Sequence, residues 1–261
     1  MPIIRSEFGY FYKNRKNKTH QKKWLFVLFL FVCSLCSIFG SFFVFSLVDV
    51  TSALSLNKYL LFNEKSYFAV SIKSAQSYNE LGKDVNTLKL QDGAGYVLKN
   101  GDKFFLIANV YATKNDAQSV LEKLNIESAS VVEIRLEKLI ISSEYSSKQI
   151  EALKNALCLV NDAYNSLSNI VISLDRGEIL DAEARQKLKL FEETCRVKKE
   201  SFSNAFQNDY QNLTTRVKIF LSETISNISS LAISQNLSSD IKYQTVSILS
   251  SFVSLQENVK K

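Results

Sequence analysis

An uncharged run of 25 residues, Trp24 to Val48 (WLFVLFLFVCSLCSIFGSFFVFSLV), constrains this chain more than any other feature in it. A helix rises about 1.5 Å per residue, so the run is long enough to cross a hydrocarbon layer about 30 Å thick. Ahead of it stand Arg5, Lys13, Arg15, Lys16, Lys18, Lys22 and Lys23 against one acid, Glu7. Behind it come Asp49 and no base before Lys58. Basic flanks stay on the cytoplasmic side. This predicts a basic cytoplasmic tail over 1–23, a transmembrane helix over 24–48 and an extracytoplasmic remainder. Trp24 falls at the boundary, where an indole buries its ring and keeps its N–H wet. The competing reading, a cleaved signal peptide, calls for an apolar core of about 7–15 residues and a small-x-small site. The run is longer than that, and Val50-Thr51-Ser52-Ala53 is a poor site. Cys33 and Cys36 lie inside the run and read as small apolar side chains, not as a metal or redox pair.

The net charge of +6 does not point to nucleic acid. The tail holds seven of the 32 basic residues and one of the 26 acids, so residues 24–261 carry 25 of each. A basic stripe that tracks phosphates is therefore missing, and the excess charge belongs to membrane topology. The one histidine, His20, is in the tail. Without histidine outside, Ser-His-Asp and Cys-His catalysis and every histidine-containing zinc site are excluded there. The acids are scattered along helical faces, and the expectation is a non-enzymatic protein with no catalytic residue, metal or cofactor.

After a linker over 49–65, residues 66–140 alternate between two periodicities. Tyr67 to Ile72 is β-rich. Gln76 to Leu90 is helix-compatible, with Gly82 as its weak point, and Asp92-Gly-Ala-Gly95 is a turn. Tyr96 to Lys99 and Lys103 to Val110 read as strands around the hairpin signal Asn100-Gly101. Thr113 or Asn115 caps a helix that runs to Leu124, and Ser130 to Ile134 closes the set. The order is β-α-β-β-α-β, a split βαβ sheet with two helices on one side.

Gly95 to Leu124, with its strand, its turn at Asn109-Val110-Tyr111 and the pattern Thr113-Lys-Asn-Asp-Ala117 before a Leu-ended helix, resembles the second half of a SPOR (sporulation-related repeat) domain. Phe68 to Ile72 resembles its first strand. Asn109-Val110-Tyr111 stands where Gly-Pro-Phe is usual in that family, and Lys73-Ser74-Ala75 replaces a Gly-Ser-Phe turn. The resemblance implies binding of septal peptidoglycan, in particular glycan strands stripped of peptide, by a membrane-anchored protein of cell division or sporulation. Strand alternation then assigns Phe68, Val70, Ile72, Phe104, Leu106 and Ala108 to the helix-covered face. The glycan-binding candidates Tyr67, Ser71, Phe105, Ile107, Asn109 and Tyr111 fall on the other face. Phe105 and Ile107 are apolar where the family carries polar residues. A second reading follows, in which another part of the chain covers this face.

From 145 to 261 the pattern becomes helical. Leu153, Leu157, Val160, Tyr164, Leu167, Val171 and Leu174 step by 4 and 3, a heptad seam. Ser146 or Ser147 caps its start, and Gly177 suits a left-handed C-terminal cap. Further runs through Leu188 to Phe206, Leu213 to Leu231 and Ile241 to Phe252 predict an antiparallel bundle of three or four helices, the second and third being one long helix if nothing separates them. Cys158 and Cys195 stand 19 and 18 residues from Gly177, at matching heights in a hairpin, so a disulfide between them competes with two free thiols.

The fold class is thus α+β: an N-terminal transmembrane helix, a small SPOR-like β-α-β-β-α-β sheet, and a C-terminal antiparallel bundle. Its expected partners are the membrane, peptidoglycan glycan strands, and a protein or a second copy at the helices. The alternative is an envelope scaffold whose α/β segment packs on an oligomerising bundle without binding glycan.

Overall fold

The computed structural model describes residues 58–142, 145–207, 209 and 211–259. The expected tail, the expected span over 24–48 and most of the linker lie outside the described residues. Among the described residues no helix is long and apolar enough to cross a membrane.

Strand β1 (Lys58–Phe62) is followed by β2 (Lys65–Ala75). A 3-10 turn (Tyr78–Leu81) leads into helix α1 (Gly82–Leu90), so the helix expected from Gln76 is jointed at Gly82. Strands β3 (Tyr96–Asn100) and β4 (Lys103–Tyr111) form a hairpin. Asn100 pairs with Lys103, so Gly101 and Asp102 are the two turn residues, one step beyond the expected Asn-Gly; Gly101 takes φ +61° and Asp102 stays out of the positive-φ region. That is the signature of a type II′ turn, which needs glycine at its first central position. Helix α2 (Lys114–Leu124) follows, capped by the Thr113 hydroxyl, which accepts from Asp116 N–H at 3.1 Å. In β5 (Ser130–Leu136) buried Val132, Ile134 and Leu136 alternate with exposed Glu133 and Arg135. The β-α-β-β-α-β order holds over 65–136. The four strands lie in the order β3-β4-β2-β5, every neighbouring pair antiparallel.

A second, two-stranded sheet was not expected. β1 pairs antiparallel with β6 (Leu139–Ser142), Lys58 opposite Ser142 and Leu60 opposite Ile140. It joins the two ends of the α/β segment. The span expected as a linker to 65 therefore contains a full strand.

Four of the six described helices form the bundle: α3 (Ser147–Asp175), α4 (Asp181–Ala205), α5 (Asn212–Ser230) and α6 (Leu237–Val259). Ser146 and Gln149 form a capping box at the start of α3, and Gly177, at φ +67°, closes its end. Leu153 to Val171 of the heptad seam are buried, and Leu174 is half-buried. The second and third runs are two helices, not one. Phe206, 1 % exposed, turns inward beside Phe202 and Tyr145, and the Lys218 ammonium donates to the Phe206 and Asp209 carbonyls at 3.0 and 3.3 Å. An inserted aromatic and a lysine break this chain where glycine and proline are absent.

Side-chain links show that sequential helices run antiparallel: Lys198 to Asp162 at 2.5 Å between α4 and α3, Ser229 to Glu192 at 2.7 Å between α5 and α4, and Asn212 to the Asn258 carbonyl at 3.3 Å between α5 and α6. Residues 58–261 form one compact unit, and one hydrophobic core runs from the sheet into the bundle.

Candidate functional site

The sheet has two faces, and both are covered. One carries α1 and α2. A small cluster, Leu81, Leu88 and Leu106, forms there, with Ile72, Phe104 and Ala108 half-buried around it. These are residues that alternation assigns to the helix side. The other face lies against the bundle. Tyr67, Ala69 and Ile107 are all 0 % exposed and belong to the main core with Leu153, Leu157 and Val160 of α3.

The glycan-binding candidates can be placed one by one. Tyr67 lies under α3: its hydroxyl donates to Asn161 Oδ1 at 2.8 Å and its ring lies 4.3 Å from that of Tyr164. Burial, reinforced by Tyr164 and Asp162, pushes the phenol far above its ordinary range. Ser71 is fully buried and donates to the Lys73 carbonyl at 2.9 Å. Ile107 is in the core, and Phe105 is half-buried against it. Asn109 and Tyr111 are half-buried and touch through Asn109 Nδ2 and the Tyr111 hydroxyl at 3.4 Å. Burial raises the Tyr111 phenol, and the hydrogen bond from Asn109 opposes it.

Simple alternation breaks down at the end of β4. Register shifts fall between Val70 and Ser71 and between Ser71 and Lys73. As a result Ser71 pairs with Ile107 but Ala69 pairs with Val110, and Val110 joins the bundle-side core. Tyr111 pairs with Phe68. The six candidates are therefore not one exposed surface: three are fully buried, and the other three are half-buried along β4. A bulge explains the slip, since one extra residue on a strand exchanges its faces.

Helix α6 crosses the sheet and is tied at both ends. At its start the Lys242 side chain, 7 % exposed, donates to the Asp92 carbonyl and carboxylate at 2.9 and 2.8 Å and lies 3.0 Å from Asp175 of α3. One buried ammonium thus joins the α1–β3 turn, α3 and α6. Ser239 donates to the Gly93 carbonyl at 2.7 Å. Gly93 has no room for a side chain, because a Cβ there would run into the Leu88 side chain. At the other end Gln256 meets the Glu137 backbone twice, accepting from its N–H at 2.9 Å and donating to its carbonyl at 2.6 Å. None of these polar ties was expected. A lysine one step from Ile241 in an apolar stripe was the available signal for Lys242.

Beside α6 a groove of about 790 Å³ opens, lined among others by Tyr96, Lys99, Glu133, Arg135, Gln256 and Glu257. Its charges are mixed, and Arg135 is engaged by Glu64 at 2.7 Å. Among the described residues no group of three or more His, Cys, Asp or Glu side chains is placed to hold a metal.

Cys158 and Cys195 are both free thiols, so the disulfide between them is absent. Each senses Asp162 and Lys198, the ion pair that links α3 to α4. Their directions differ: Cys195 is buried, while Cys158, next to seam residue Leu157, is exposed. Burial pushes the Cys195 thiol up to about 12.

No family model, curated protein or solved structure matches this chain.

Proposed function

We propose that this chain is a non-enzymatic interaction protein of the cell envelope. It is held by a single span over residues 24–48 with its basic tail in the cytoplasm, and its folded unit lies outside. The α/β segment serves as part of one body with the helices, and partners meet the outer surfaces of that body. One observation carries this reading over glycan capture by the sheet: Tyr67 and Ile107, at the centre of the face a glycan would need, are sealed at 0 % exposure beneath the bundle. A sugar could reach them only after the main core had parted.

The β-α-β-β-α-β order favours the second reading, a SPOR-like sheet that binds peptide-stripped peptidoglycan in division or sporulation. The two readings separate in one assay. The detergent-solubilised full chain is incubated with amidase-treated and untreated cell walls, beside a Phe105→Ser variant. The interaction reading expects equal recovery from both walls, and a variant that loses stability without a change in wall binding. Enrichment on the treated walls, lost in the variant while the fold persists, would overturn it.

A further inference from the structure

The β1–β6 ribbon presents two different faces. Tyr59 and Ile141, paired across the strands, pack on the main core. The next pair, Leu60 and Ile140, turns the other way and is 37 % and 47 % exposed. Two aliphatic side chains directly opposite each other thus face outward, and they are the outward members of a ribbon only four to five residues long. An exposed lysine stands at each end. Lys58 pairs with Ser142 at one end, and Lys138 directly precedes Leu139 at the other. Lysine flanking an aliphatic pair suits a lipid headgroup boundary, where the carbons enter the acyl region and the ammonium groups reach phosphate.

The position of the ribbon selects this occupant. Lys58 follows the apolar run ending at Val48 by nine intervening residues. Fully extended, they reach about 30 Å, so a chain fixed by that run keeps the ribbon near the bilayer. The ribbon also leads directly into α3. The three most exposed aliphatic side chains among the described residues, Leu90, Leu180 and Ile233 at 85, 78 and 87 %, gather at the far end of the bundle, while Leu190, Val197 and Ile219 stand singly along α4 and α5. Arg185 ties the α4 start to the Leu231, Ala232 and Ser234 carbonyls there, and Asn236 ties the same segment to the Lys89 carbonyl. Helix α3 has 29 residues, which separates the two ends by about 40 Å.

We propose that the outer face of the β1–β6 ribbon, Leu60 and Ile140 with Lys58 and Lys138, rests on the bilayer surface and seats the folded unit there. The proposal rests on the membrane-anchored reading. The contact adds to an existing tether, so two aliphatic side chains and two cations suffice to set an orientation where they would not hold a free protein.

The test uses the full chain in vesicles of brominated phosphatidylcholine with phosphatidylglycerol. Trp24, the one tryptophan, is replaced by Phe, and Ile140→Trp or Leu180→Trp supplies the probe. Carbonate extraction of the same vesicles reports the anchor independently. The expected result is retention after extraction, with the emission of the Ile140→Trp protein reduced at least twofold by the bromolipid and that of the Leu180→Trp protein unchanged. Retention with the Ile140→Trp protein unquenched, or blue-shifted but indifferent to bromine as in a protein contact, overturns the ribbon proposal and leaves the anchor standing. Equal quenching of both variants also overturns it, because the unit would then have no preferred end. Release by carbonate overturns the anchored reading and the ribbon proposal with it.

Discussion

The two faces of the four-stranded sheet are built from the same strands and differ in what they hold. Leu106 and Ile107 are neighbours on β4, both 0 % exposed, yet they serve different cores. Leu106 closes a cluster with Leu81 and Leu88 under α1, while Ile107 enters a core continuous through four long helices. The side with the sheet's own two helices is thus the thinner one, and the side borrowed from the bundle is the deeper. A sheet so divided depends on its bundle for most of its apolar burial, the dominant favourable contribution to folding.

The comparison can be broken by substitution, and urea unfolding of the detergent-solubilised chain is the measurement throughout. Tyr67→Ala removes a buried ring, leaves Asn161 without its donor and opens a cavity beside Tyr164; a loss of about 3–5 kcal/mol is expected. A loss under about 1 kcal/mol would show that the bundle is not seated on the sheet. Ile107→Ala and Leu106→Ala come next, each within the range of about 2–5 kcal/mol for such truncations. Ile107 should be the costlier of the two, because its surroundings are bound on more sides and collapse less. The reverse order would invert the reading of the faces. Lys242→Met leaves Asp92 and Asp175 facing each other at a part-exposed site, for a smaller loss of about 1–3 kcal/mol. The smallest effect is on pH dependence. Cys195 has an ordinary value of 9.0 and is pushed up to about 12 when folded. Its thiol therefore stays protonated in the folded chain after the unfolded chain has begun to ionise. This contribution is whole below about pH 9 and is lost as pH rises toward 12. Between pH 9 and 10, Cys195→Ala should lose less stability than the parent, by no more than about 1.4 kcal/mol. Parallel curves would place Cys195 in water.

Much of the fold was legible because it rests on local signals. The heptad spacing from Leu153 to Leu174, the cap at Ser146, the left-handed Gly177 and the strand–helix alternation over 67–134 each follow from side chains a few residues apart. Three features escaped because their causes are non-local. The β1–β6 ribbon pairs residues more than 75 positions apart, and KYLLF shows no strict alternation to mark it. The break after Phe206 depends on Tyr145 and Lys218, not on a turn residue. The slip in β4 depends on compensating bulges with β2, which alternation cannot carry. For the candidate site, apolar Phe105 and Ile107 pointed to a covered face, and Tyr164 was legible as a seam residue; that Asn161 and Tyr164 meet Tyr67, and that Lys242 meets Asp92, depends on partners 94 to 150 positions away, which no local pattern carries.

The ribbon also decides how force travels. Lys58 and Ser142 sit side by side where one strand begins and the other ends, so the chain enters and leaves the α/β segment at one place. A pull on the chain ahead of Lys58 passes across the short ladder to Ser142 and on into α3. Such a pull therefore meets the Lys58–Ser142 rung of the ladder before it reaches the four-stranded sheet.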